Sequence, residues 1–178
     1  MAVLDADDVS EPSRLARQVV ILDRMPHVAV VPTGYLDIDG AGGVLRSVSL
    51  TLAPRDLRSR LASNCPIVHS SVMMRRATVQ EAGGYPSRFP YAQDFALWIA
   101  LALTHEFHAV PEPLVRIRRT PTTLTSRFGA SGVLARDGVR LYARAQTLPG
   151  LRPSDRVRGL RTIAWYAALL VWRTLRRR

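Results

Sequence analysis

A short apolar run that ends in a cluster of acids is the feature that most constrains the fold of this chain. Residues 2–4 are apolar, and Asp5, Asp7 and Asp8 follow with only Ala6 between them. Three apolar residues form a buried strand only where neighbouring strands pair with them. The pattern therefore predicts a strand inside an α/β sheet. Its acids would lie at the carboxyl edge, where open α/β sheets bind their ligands.

The acidic cluster has two interpretations. Alternation along a strand would point Asp5 and Asp7 to the same side, although the chain is expected to turn there. Two such carboxylates suit Mg²⁺ or Mn²⁺ bound together with substrate phosphates. A calcium loop counted from Asp5 is a poor alternative, because Ser10 and Ala16 stand where glycine and glutamate are required. The second interpretation is an acidic loop that opposes the dipole of the following helix.

Helix and strand patterns alternate along the next hundred residues. Ser10 stands at the N-cap position of a helix that ends before Pro26, with Leu15 and Val19 at buried spacing and Arg14 in a more exposed position. Periodicity and turn residues predict further strands at 28–31, 35–38, 44–52, 107–110 and 114–117, and helices at 54–61, 76–82 and 92–104.

Four segments complete a larger pattern in a fixed order. They are Leu4-Asp5-Ala6-Asp7-Asp8 with Pro12, Arg14-Leu15 and Gln18 after it; Pro66-Ile67-Val68-His69-Ser70-Ser71-Val72-Met73-Met74-Arg75-Arg76 with Gly83-Gly84-Tyr85; Ala92-Gln93-Asp94-Phe95-Ala96-Leu97-Trp98; and Glu112-Pro113-Leu114-Val115-Arg116. Together they resemble glycosyltransferase family 2, the inverting nucleotide-sugar transferases of the GT-A fold. The resemblance covers residues 2–127.

The resemblance implies different roles for the three aspartates. Asp5 and Asp7 would hold a divalent metal, Mg²⁺ or Mn²⁺, and with it the nucleotide diphosphate of the sugar donor. Asp94 would be the catalytic base that takes the proton from an acceptor hydroxyl. The partners are then a nucleotide-diphosphate sugar and a saccharide or lipid-linked acceptor, in the synthesis of cell-surface polysaccharide or glycolipid. Without the other motifs, Asp94 reads as a first-turn acid that stabilises its helix.

Three further residues are site candidates with a structural alternative. His69 lies in the segment that the resemblance places beside the acceptor, although a lone histidine among apolar residues is more often a buried, satisfied group. Trp98 lies one turn after Asp94 and either stacks on a sugar ring or packs in the core. Arg118 is expected to reach the diphosphate, unless the arginines at 116–119 form a solvated face.

The metal site departs from the family pattern at one position. The family commonly carries an Arg-x-His pair after its closing strand, and the histidine completes the metal site. Aligned on 113–114 and on 124–125, that pair becomes Arg118 and Thr120. The third ligand is then absent, replaced by water, or replaced by Arg119 binding phosphate directly.

The larger departure concerns the start of the sequence. In the family, earlier strands form the nucleotide pocket, whereas this sequence opens on the strand with the acidic motif. We therefore expect residues 1–127 to be the carboxyl-terminal part of a GT-A domain with a partial, Rossmann-like sheet and flanking helices. Alone, that part is expected to transfer no sugar and to be unstable, because an unpaired sheet edge would be exposed.

Residues 128–178 are expected to form a basic, arginine-rich helical tail. An apolar run at 163–172 contains Trp165 and Trp172 and has arginines on both sides. The run is too short to span a bilayer. It suits either a helix in the interface of a membrane or a helix packed on the domain. The first alternative predicts a cytoplasmic protein that contacts the inner face of the membrane.

Composition raises one competing function without favouring it. The net charge is +11 and every fixed cation is arginine, which suits phosphate-bearing partners. The arginines are dispersed, however, and no zinc, RRM-like or KH-like pattern is present, so we expect no nucleic acid to bind. A non-catalytic scaffold is the remaining alternative. The single cysteine, Cys65, has no partner within the chain for a disulfide.

Overall fold

The computed structural model describes residues 1–120 and 132–175, in which helices surround two β-sheets. The predicted α/β class is confirmed. The strands are β1 (Val9–Ser10), β2 (Val28–Val31), β3 (Thr33–Ile38), β4 (Val44–Val48), β5 (Met73–Met74), β6 (Glu106–Phe107) and β7 (Val110–Arg118). The helices are α1 (Arg14–Arg24), α2 (Pro54–Leu61), α3 (Arg76–Glu81), α4 (Gln93–Ala102), α5 (Gly132–Ala145) and α6 (Pro153–Leu175), with a 3₁₀ turn at His69–Ser71.

Strand β2 is the centre of the smaller sheet. It pairs antiparallel with β5 and parallel with β6, and all of its residues are buried. Ala29 and Val30 pack in the main core, to which helices α2 and α4 contribute Leu57, Leu61 and Trp98. Val28 and Val31 pack in a second cluster with residues of α1 and β7. The continuous apolar pattern at 28–31 is therefore a strand covered on both faces, as expected for such a run.

The larger sheet has the order β1-β7-β3-β4. The prediction of two strands separated by Pro111 and Pro113 is wrong, because β7 runs through both prolines and Phe107 belongs to the other sheet. Proline has no N–H to donate, so the ladder between β7 and β3 is interrupted there. Pro113 lies opposite Gly34, between two shifts of register.

Helix α1 turns a different face inward from the one predicted. Ser10 lies in β1 instead of capping the helix, which begins at Arg14. Arg14 and Gln18 are fully buried, whereas Leu15 is 51% exposed and Val19 is 42% exposed. The predicted burial of Leu15 and Val19 is therefore wrong, although Leu22, the third apolar residue at that helical spacing, is buried. The rest of the inward face consists of Arg14 and Gln18, whose polar groups have partners inside the protein.

Arg14 and Gln18 join three segments through backbone carbonyls. Arg14 Nη2 donates to Val3 O at 2.6 Å and to Val72 O at 3.3 Å, and its Nε donates to Gln18 Oε1 at 3.0 Å. Gln18 Nε2 donates to Ser71 O at 2.9 Å and to a carbonyl of β2. Burial lowers the pKa of Arg14. The pair fixes the first residues of the chain beside the 3₁₀ turn.

The predicted strand at residues 2–4 is reduced to a single bridge. Ala2 pairs antiparallel with Met73, and Val3 N–H donates to Val72 O at 3.1 Å. Leu4 is exposed, so the buried strand expected there is wrong. The chain leaves β5 at Leu4 because it turns at the acids that follow.

The segment after residue 131 shares the core of the sheets. Leu141, Ala145 and Leu148 pack in the same cluster as Trp98. Two helices, α5 and α6, form this segment, and the chain turns between them at Gly150, whose φ is 75°. The predicted boundary at 127/128 and the aligned pair 124–125 lie outside the described residues.

We expect Arg14→Met to lower the free energy of unfolding by about 2 kcal/mol, because a buried carbonyl loses its donor. Arg17→Met is the matched control. Arg17 is exposed and pairs with Glu112 at the surface, where an ion pair contributes about 0–1 kcal/mol. Urea denaturation of both variants measures the difference, and equal losses would contradict the role of the buried guanidinium.

Candidate functional site

The four residues at 5–8 form a turn instead of an extended strand. Asp8 N–H donates to Asp5 O at 3.1 Å, which closes the turn. The end of β7 holds it from the other side, since Arg118 N–H donates to Asp8 Oδ1 at 2.9 Å. Asp5 and Asp7 are both exposed, so their carboxylates are available at the surface.

Arg118 supports this turn. Its Nε donates to Asp7 O at 3.1 Å, and its Nη1 donates to Asp39 O at 3.0 Å and Gly40 O at 2.9 Å. The guanidinium therefore ties the acidic turn to the hairpin between β3 and β4. Arg119, an alternative phosphate ligand, pairs instead with the buried Asp37 at 2.7 Å.

His69 lies between the acidic turn and two aromatic residues. Its Nδ1 is 3.5 Å from Asp5 Oδ1, and its Nε2 is 3.0 Å from the hydroxyl oxygen of Tyr85. Its neighbour Ser70 accepts a hydrogen bond from Asp5 N–H at 3.1 Å. The 3₁₀ turn thus holds Asp5 by backbone and side chain together.

Asp94 reaches the same site from the first turn of α4. Burial raises the pKa of its carboxyl, while the N–H of Phe95, which donates to Asp94 Oδ1 at 2.7 Å, and the imidazole of His69 lower it. The charge of Asp5 raises it further. Because Asp5 and His69 both act on Asp94, the early and late acids that the sequence separates share one site.

Tyr85 is a site residue that sequence reasoning did not single out. Burial, Asp94 and Asp5 all raise the pKa of its phenol. Gly83 and Gly84, both with positive φ, turn the chain out of α3 directly before it. In the sequence, the glycine pair predicts that the helix ends there and that the chain changes direction before Tyr85. This was the feature from which Tyr85 could have been identified.

Trp98 belongs to the core and not to an acceptor surface. Its side chain is fully buried, so it presents no ring face to a sugar. Its ring centroid is 6.4 Å from that of His69. Of the two alternatives for Trp98, the structure therefore supports the packing role, in which it lies beside His69.

The donor set at the acidic turn fits a metal ion held jointly with a substrate. Among residues 1–120 and 132–175, no group of three or more His, Cys, Asp or Glu side chains could enclose an ion. Mg²⁺ is commonly bound by one or two carboxylates together with substrate phosphates, which Asp5 and Asp7 could supply. Thr120 has a hydroxyl group at the position where the resemblance expects an imidazole.

Cys65 takes no part in this chemistry as a nucleophile. Burial raises the pKa of its thiol to about 12, so the reactive thiolate is nearly absent at neutral pH. The groups that remain for proton transfer are the carboxylates, His69 and Tyr85.

Comparison with known proteins finds similarity in sequence and in fold. No family model matches the chain. It is 26% identical over 143 residues to the amylovoran biosynthesis glycosyltransferase AmsE of Erwinia amylovora, covering 80% of this chain and 52% of AmsE. It is 35% identical over 97 residues to EpsE of Bacillus subtilis, provisionally named a glycosyltransferase, covering 53% of this chain and 34% of EpsE. The chain is similar to glycosyltransferases.

A solved structure extends the likeness to the whole described fold. A mannosyltransferase from Pyrobaculum calidifontis, determined with GDP-Man and Mn²⁺, superposes with a TM-score of 0.50 at 20% identity. The match covers 97% of this chain and 49% of the mannosyltransferase. The chain thus has the fold of about half of a glycosyltransferase. It likewise spans between 34% and 52% of the length of the curated relatives.

We expect Asp94→Asn to stabilise the protein at neutral pH and to leave its stability unchanged in acid. The raised pKa means that the folded protein holds the proton to higher pH than the unfolded chain. The protonated Asp94 therefore contributes stability to the fold, fully below the ordinary pKa of an aspartate, and this contribution is lost as the pH rises through the raised pKa. Each kcal/mol recovered raises Tm by about 2–4 °C.

Thermal unfolding of both proteins at acidic and neutral pH measures this effect. The exposed Asp23 of α1 supplies the control, because Asp23→Asn should change stability by less than about 0.5 kcal/mol. A lower Tm for Asp94→Asn at neutral pH would contradict the assignment of a buried, destabilised carboxylate.

Proposed function

We propose that this chain carries the metal-binding acids and the catalytic base of an inverting, family-2-type glycosyltransferase. It would transfer a sugar from a nucleotide-diphosphate donor to the hydroxyl of a saccharide or lipid-linked acceptor. One observation supports the proposal: Asp5 of the acidic turn lies 3.5 Å from His69, and the charge of Asp5 and the imidazole of His69 both shift the pKa of Asp94 on α4. A metal-and-phosphate group beside a proton acceptor is the minimum that direct sugar transfer requires.

Asp5 and Asp7 would bind the divalent ion through their exposed carboxylates. When bound, Mg²⁺ or Mn²⁺ neutralises the negative charge that grows on the departing diphosphate. Arg118 and Asp8 hold the turn through the backbone, so the two carboxylates are positioned before a substrate arrives. Such preorganisation lowers the cost of ordering the site during the reaction.

Asp94 would accept the proton of the acceptor hydroxyl. As its carboxylate takes that proton, the acceptor oxygen forms a bond to the anomeric carbon and the bond to the diphosphate oxygen breaks. Attack from the face opposite the leaving group inverts the anomeric configuration. A pKa raised by burial makes the carboxylate a stronger base than an exposed aspartate, which suits proton abstraction near neutral pH.

The name of the relative AmsE assigns it to amylovoran biosynthesis, a biosynthetic role for a glycosyltransferase. The resemblance to family 2 implies a role for this chain in the synthesis of cell-surface polysaccharide or glycolipid. We place the reaction of this chain in the same broad class, on the cytoplasmic side of the cell envelope. The sequence-based expectation that the chain alone transfers no sugar stays a prediction. The first experiment therefore measures binding and the second measures turnover.

We expect Asp7→Asn to weaken Mn²⁺ binding in the presence of a nucleoside diphosphate, because one of two carboxylate ligands is lost. Asp94→Asn is the matched control and should retain that binding, since it changes the base alone. Electron paramagnetic resonance of free Mn²⁺ measures binding to each protein. In any preparation that transfers sugar, Asp94→Asn should reduce the rate about 10²–10⁴-fold.

Two results would overturn the proposal. Equal Mn²⁺ binding by the wild type and by Asp7→Asn would show that Asp7 does not bind the metal. Undiminished transfer by Asp94→Asn would show that Asp94 is not the catalytic base.

A further inference from the structure

Helix α6 has a packed face and an exposed face on opposite sides. On the packed face, Thr162 Oγ1 donates to Ser63 O at 2.8 Å, and the ring of Tyr166 stacks on Tyr142 at 5.6 Å. Gly159 lies so close to the body that an added Cβ would be 2.4 Å from Ala62 O. This face is the one that attaches the helix to the rest of the protein.

The opposite face is an apolar stripe that the described residues leave exposed. At 3.6 residues per turn its large side chains fall within an arc of about 140°, which places them on one side of the helix. Trp165 is 60% exposed and Trp172 is 47% exposed. The stripe consists of Val157, Leu160, Trp165, Val171, Trp172 and Leu175. From Val157 to Leu175 it is about 27 Å long at the rise of an α-helix.

The charge around the stripe has one sign. Residues 156–178 contain seven arginines and no acidic residue. Arg161 is exposed within the stripe, and Arg158 beside it is half-exposed and pairs with Asp155. Apolar side chains with tryptophan, flanked by cations, match the boundary between lipid headgroups and acyl chains.

We propose that the stripe of α6 is a docking surface for an anionic membrane, on which the helix lies parallel to the bilayer plane. Trp165 and Trp172 would enter the headgroup region, and the arginines would contact anionic headgroups. In the part of the chain that the structure describes, no helix is long and apolar enough to cross a membrane. The proposal is independent of sugar transfer.

Charge favours a membrane over a second copy of the chain as the occupant. A symmetric dimer through this stripe would bring the arginines of residues 156–178 of both copies together, with no acidic residue in either segment to offset them. Like charges brought together at an interface weaken association. Anionic headgroups carry negative charge, which complements the arginines along the whole length of the stripe.

Tryptophan fluorescence of the full chain tests the proposal directly. The protein has three tryptophans, and Trp98 is fully buried, so added vesicles should change the emission of Trp165 and Trp172 alone. Vesicles of phosphatidylcholine and phosphatidylglycerol should shift the emission to the blue. Vesicles of phosphatidylcholine alone should have a weaker effect, and salt should reduce binding to the anionic vesicles.

Co-sedimentation with the same vesicles compares two double variants. Trp165→Ser with Trp172→Ser should weaken binding by about tenfold or more, because two interfacial anchors are lost. Val44→Ser with Leu45→Ser removes two exposed apolar residues from β4 and should bind as the wild type does. Circular dichroism and thermal unfolding check that both variants are folded.

Three outcomes would overturn the proposal. The first is an absence of blue shift and co-sedimentation with anionic vesicles. The second is an equal loss of binding in the β4 control. The third is a blue shift that grows with protein concentration in lipid-free buffer, which would assign the stripe to a second copy of the chain.

Discussion

The buried guanidinium of Arg14 and the amide of Gln18 determine how the first residues of this protein meet the rest. Together they donate to carbonyls of Val3, Ser71 and Val72 and to a carbonyl of β2. Asp5 follows Val3 by two residues, and His69 precedes Ser71 by two residues. The contact between acid and imidazole therefore depends on a polar cluster in the interior, where an unsatisfied carbonyl would be costly.

The site built on this anchor combines exposed acids with a half-buried one. Asp5 and Asp7 lie at the surface, where a metal ion and a phosphate can reach them, whereas burial raises the pKa of Asp94. A carboxylate in that position reduces stability at neutral pH and is retained where a base is useful. The imidazole of His69, close to Asp5, lowers the pKa of Asp94 and so offsets part of this cost.

Sequence patterns predicted most elements, and they failed where polar groups or prolines behaved unusually. Helix α2 and strand β2 have the predicted bounds, since capping, proline and apolar runs are local signals. The inward face of α1 was wrong, because helical periodicity cannot show that Arg14 will find carbonyl partners inside. The continuity of β7 through Pro111 and Pro113 was also missed, since the interrupted ladder depends on what β3 places opposite.

The sequence by itself determined the α/β class, the order of the acidic motifs and the basic character of the last helix, because each depends on residue type and spacing along the chain. Only the tertiary structure decided that Asp5, His69, Tyr85 and Asp94 share a site and that Trp98 does not face an acceptor. It also shows that α6 packs on the body through Gly159, Thr162 and Tyr166 and leaves an apolar stripe exposed on its other side. Proximity and burial depend on contacts between distant segments, and local periodicity contains no information about them.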